Sequence, residues 1–88
     1  MSQKTINGKV CIWLQEYGWC EAKPAGEFKV GEFMRWNFGD CSKVVAIHSQ
    51  TEKNVTFLLE WKTAQGIETG QRKFNKSRLV AIGASADY

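Results

Sequence analysis

Four basic side chains, Arg72, Lys73, Lys76 and Arg78, fall within seven residues that contain no acid, and Phe74 sits among them. Cationic side chains neutralise phosphates, and an aromatic ring offers a face on which a base stacks, so this spacing predicts a nucleic-acid-binding rim. Lys43 and Lys62 would extend the surface. Four phosphate contacts would give a duplex salt slope of about −3.6, a loss of roughly a hundredfold between about 50 and 200 mM salt. The competing reading is a solvated edge whose charges resist aggregation.

Covalent chemistry has fewer candidates. His48 is the only histidine, so any nucleophile–base pair must include it. Cys41 is the nearest thiol in sequence. Extended chain at about 3.3 Å per residue separates the two by roughly 23 Å, and odd spacing puts them on opposite faces. Glu27, Glu32, Asp40, Glu52, Glu60 and Glu68 are scattered, and no pair is singled out for the roughly 5–9.5 Å separation of glycosidase carboxylates. The eight glycines form neither a phosphate loop nor a dinucleotide fingerprint. Cys11, Cys20 and Cys41 include no Cys-x-x-Cys pair, and a zinc site needs about four close ligands. They read as three reduced thiols in a cytosolic protein. The expectation is a binding protein with no enzyme activity, cofactor or metal.

The elements that must position these residues are short. Eighty-eight residues with 43% hydrophobic content make one domain, 1–88, with a modest core rich in Trp and Phe. No apolar run approaches the length of a membrane-spanning helix, and Met1-Ser2-Gln3-Lys4 has no apolar signal core behind it. Val10, Trp13, Leu14 and Tyr17 recur at helical spacing, which predicts a helix over about 9–17 with Asn7 as N-cap and Gly18 beyond its end. A strand competes, because Val10, Ile12 and Leu14 also alternate. From Glu32 the period is two: Met34, Trp36 and Phe38 share a face, and Gly39-Asp40 suits a type II′ turn. Further strands are expected over 43–47, 54–61, 67–74 and 79–82, with a loose tail at 83–88. Val55, Phe57, Leu59 and Trp61 form one apolar row. Five short strands give a mainly β (α+β) fold, either a small SH3-like barrel or a strongly bent antiparallel sheet, with one N-terminal helix. A helix-backed three-stranded sheet is the simpler alternative. Phe33, Val44 and Leu58 fall opposite the main apolar row, where either the helix or a partner would cover them.

Two segments carry a likeness. Trp13-Leu14-x-x-Tyr17-Gly18-Trp19 is the first. The second is Val30-Gly31-Glu32-x-x-x-Trp36-Asn37-Phe38-Gly39, running on through Ser42-Lys43-Val44-Val45-Ala46-Ile47 and ending at Arg78-Leu79-Val80-Ala81-Ile82. Over 10–82 the chain resembles small uncharacterised proteins encoded by bacteriophages and prophages. That resemblance implies a phage origin and the cytoplasm of a bacterial host, and it carries no site residues. Three kinds of partner follow from the residues. The first is DNA or RNA at Arg72, Lys73, Phe74, Lys76 and Arg78. The second is a host protein anchored on Trp19, Phe33 or Trp61, since interface hot spots favour Trp and other large groups. The third is a nucleotide-like ligand in a pocket.

Overall fold

The computed structural model describes residues 3–37 and 40–88. Among them the chain forms eight strands: β1 (Gln3–Ile6), β2 (Lys9–Leu14), β3 (Gly18–Pro24), β4 (Phe33–Arg35), β5 (Cys41–Gln50), β6 (Asn54–Thr63), β7 (Gly66–Asn75) and β8 (Leu79–Ile82). Single 3-10 turns occur at Ala25–Glu27 and Ser85–Asp87. All pairings are antiparallel, and the sheet runs β1-β2-β3-β8-β4-β5-β6-β7. The fold is mainly β as expected, in one eight-stranded sheet that does not close.

The N-terminal helix over 9–17 is replaced by a hairpin. Asn7 and Gly8 both have positive φ, 52° and 79°, and Ile6 pairs with Lys9 across them. Two consecutive left-handed residues are what a type I′ hairpin turn needs, and Asn-Gly is the dipeptide that adopts it most readily. Asn7 therefore turns the chain and caps nothing. Ile12 then pairs with Cys20, and Trp13 with Trp19. The alternating β-branched residues Val10 and Ile12 prevail over the helical spacing because the pairing partners lie on both sides of β2. The Gly39-Asp40 turn and the placement of Phe38 lie outside the described residues. At their flank the Trp36 N–H donates to the Asp40 carbonyl at 2.7 Å.

The main core gathers Met34, Val44, Val55, Phe57, Leu59, Phe74 and Val80 with Ala25 and Phe28. Val44 belongs to this core, against expectation, because it lies directly opposite Leu59. Val80 packs with Phe57 and Phe74 although β4 and β5 lie between their strands, so the sheet curls through its middle. Two register shifts in the β5–β6 ladder, at Val45 and His48, supply part of that curvature, since an unpaired extra residue bends and twists its strand. A second cluster, Leu14, Cys20 and Ala81, covers the other side of β8. Being buried on both faces explains why β8 reads as an unbroken apolar run. Arg35, only 6% exposed, sits beside this cluster with its guanidinium 4.5 Å from the Tyr17 ring.

Candidate functional site

Strand β7 divides the expected basic cluster between two faces. Phe57 pairs with Arg72 and Val55 with Phe74, which puts Arg72 and Phe74 on the core side. Thr56 pairs with Lys73, on the opposite side. Lys76 lies in the turn after β7, where its N–H donates to the Lys53 carbonyl and its carbonyl accepts from the Gly26 N–H. Arg78, at the end of that turn, comes back towards Arg72. Both guanidiniums lie over the Phe74 ring, at 5.2 and 5.5 Å from its centroid. Arg72 and Arg78 thus converge, and Lys73 does not join them.

Phe74 is not the stacking ring that its neighbours suggested. It is 2% exposed, lies tilted against Phe57 with ring centroids 6.1 Å apart, and stacks on Trp36 at 5.9 Å with an interplanar angle of 6°. Its ring belongs to the core because strand alternation turns position 74 inwards.

Beside this stack lies a cleft of about 720 Å³ whose lining includes Trp36, Trp61, Tyr88, Arg72, Asp40 and Gln71. The Trp36 indole N–H donates to Ser42 Oγ at 3.0 Å, and Arg72 Cζ is 4.5 Å from the Trp36 ring. Burial and the neighbouring Arg78 charge hold the Arg72 guanidinium below its ordinary pKa. The ion pairs among the described residues are Lys9–Glu21 and Lys23–Glu32, so neither arginine is neutralised by a carboxylate. Two cations close enough to repel, one partly desolvated, make a local field that favours an anion. Tyr88 closes one wall: its hydroxyl donates to Glu60, its ring packs 5.2 Å from Phe33, and Lys62 Nζ lies 4.8 Å from it. Burial and the Glu60 carboxylate push the Tyr88 phenol up to about 12. Trp36, Tyr88 and Gln71 had not been singled out. Alternation put Trp36 in an apolar row, and nothing local distinguishes the rim of a core from its centre.

The three aromatics expected at a protein interface are dispersed. Phe33 is half-buried beneath Tyr88, and Trp61 is half-buried against the main core. Trp19 is 38% exposed and makes an edge contact at 5.6 Å with Trp13, itself 50% exposed. Tyr17 is exposed nearby in sequence, and Lys4 Nζ lies 4.3 Å from the Trp19 ring. Trp13, absent from the expected set, is the most exposed tryptophan, and its cross-strand pairing with Trp19 depends on the hairpin.

His48 is exposed at a bulge, and all three thiols are buried. Burial pushes the Cys20 thiol up against the opposing pull of Arg35, with Cys11 and Cys41 adding to the rise. Among the described residues no three His, Cys, Asp or Glu side chains gather as metal ligands would. No protein-family model, no curated protein and no solved structure matches this chain.

Proposed function

We propose that this protein is a non-catalytic nucleic-acid-binding module, with Arg72 and Arg78 taking phosphates beside an aromatic-lined cleft. The observation that carries the reading is the convergence of two guanidiniums over Phe74, unpaired with any carboxylate among the described residues, with Arg72 also lining the adjoining recess walled by Trp36, Trp61 and Tyr88. Cations that track a backbone next to rings that accept bases are the combination that binds nucleic acid without strict sequence preference. An exposed histidine and three buried thiols, with that of Cys20 pushed up by burial, offer no activated nucleophile and so favour binding over catalysis. The setting comes from the sequence resemblance: an accessory protein of phage origin acting in the cytoplasm of a bacterial host.

Fluorescence anisotropy with labelled DNA and RNA across about 50 to 200 mM salt tests this. Two phosphate contacts predict a slope of about −1.4 on single strands. The Arg72→Ala/Arg78→Ala double variant is expected to lose both the affinity and the slope. Binding that ignores both substitutions would sink the proposal.

A second reading rests on the exposed Trp13–Trp19 pair. Large aromatics on a rigid hairpin suit an anchor for a host protein. A pull-down from host lysate that Trp13→Ala/Trp19→Ala abolishes, and Arg72→Ala/Arg78→Ala does not, would favour it.

A further inference from the structure

The three aromatic walls of the cleft are not equivalent. Trp36 is already occupied, stacked on Phe74, contacted by Arg72 and held through its N–H by Ser42. Tyr88 is occupied by Phe33, Lys62 and Glu60. Trp61 has no such partner among the described residues: no ring, cation or hydrogen-bond acceptor engages its indole.

Gly70 explains how Trp61 reaches this position. Trp61 pairs with Glu68 and Leu59 with Gly70, so the indole leans diagonally across β7. A Cβ built on Gly70 would lie 3.1 Å from Cη2 and 3.6 Å from Cζ3 of that ring. A glycine within a strand weakens it, and one common reason for its presence is close approach of another group. Here the missing Cβ lets the indole settle on the strand at Gly70, two residues along β7 from Arg72.

We propose that Trp61 is the stacking seat for a single unpaired base and Arg72 the cation that takes the adjoining phosphate, so that the ligand of the cleft is single-stranded nucleic acid and not duplex. This inference rests on the nucleic-acid reading above. A paired base has both faces covered by its neighbours in the stack and offers none to a ring in a recess, whereas single strands splay bases onto aromatic side chains. A cleft of about 720 Å³ has the capacity of a small-ligand site, which suits a nucleotide of a flexible strand and excludes a helix. Asp40 and Gln71 line the same recess and supply an acceptor and an amide to a base edge.

The test compares a labelled strand of about 12 nucleotides with the duplex of the same sequence, on the unaltered protein at about 50 mM salt. Anisotropy and tryptophan emission are followed together. The expected result is tighter binding of the single strand with quenched emission. Trp61→Ala is expected to weaken binding about 5- to 150-fold, the range of base–aromatic stacking. Trp61→Phe, which keeps a ring, retains most of the affinity and loses most of the quench. Duplex bound as tightly as single strand, or a quench undiminished in Trp61→Phe, overturns the seat and leaves the arginine rim standing. Binding of neither form overturns both. The strand-against-duplex comparison needs no variant, so it holds even if Trp61→Ala fails to fold.

Discussion

Arg72 and Phe74 are two residues apart on the same face of β7, and they serve opposite ends of the balance between stability and binding. Phe74 is held by Phe57, Trp36 and the rest of the core, so Phe74→Ala is expected to cost about 3–5 kcal/mol. Arg72 is exposed, gives up little more than its contacts with two rings, and is repelled by Arg78. Its replacement by Ala should change stability by less than about 1 kcal/mol while removing phosphate affinity. Urea denaturation of the two variants gives the contrast directly, and equal losses would contradict it. The thiols offer a second check at this scale. Buried as they are, with Cys20 pushed up, they should react slowly with iodoacetamide in the native protein and fully in urea. The charge run itself was legible in the sequence. Its division was not, because adjacent strand residues such as Arg72 and Lys73 point to opposite faces, and which one joins Arg78 is settled only by the pairing with β6.

At the scale of elements, the Asn7-Gly8 turn sets the β1–β2 hairpin, while the cross-strand Trp13–Trp19 pair belongs to the next hairpin, β2–β3, closed where the Tyr17 N–H donates to the Leu14 carbonyl. Gly8→Ala forces a side chain into the left-handed region at φ 79°, which costs roughly 1–2 kcal/mol. Thermal denaturation should register that loss, and an unchanged midpoint would mean that the turn is not formed as described. Asn-Gly was present in the sequence as the signal for this turn, and reading Asn7 as a helix cap concealed it. The strands from β5 onwards were legible because period-two alternation is a local property; Asn54–Thr63 and Leu79–Ile82 lie close to where the pattern put them. The bulges at Val45 and His48 were not. Neither carries glycine or another local mark, and both arise from fitting a bent β5 to its partner. The cleft inherits this limit, since Trp36, Trp61 and Tyr88 meet only after the sheet curls.

Across the whole molecule, Glu32 ties three distant pieces of chain together. It accepts from Lys23 on β3 at 2.9 and 3.0 Å and from the Lys29 N–H at 2.6 Å, while its own carbonyl accepts from the Val44 N–H on β5. Burial raises its pKa, but these donors and the lysine charges outweigh burial and hold the carboxyl below its ordinary 4.5. A folded pKa below the unfolded one stabilises the native state above pH 4.5, and that contribution disappears as pH falls through the folded value. Glu32→Gln should therefore flatten the fall in stability below pH 4.5, measured as the urea midpoint against pH; parallel curves for both proteins would refute the assignment. The strand order has a further consequence, for the order of events in folding. β8 lies between β3 and β4, so Ala22 meets Ala81 and Arg35 also meets Ala81. Until β8 docks, the first three strands and the next four share no strand pairing, only side-chain and loop links such as Lys23–Glu32. Leu14 and Cys20 then wait without the alanine they pack on, and β8, distant in sequence from β3, is the strand that joins the two groups into one sheet.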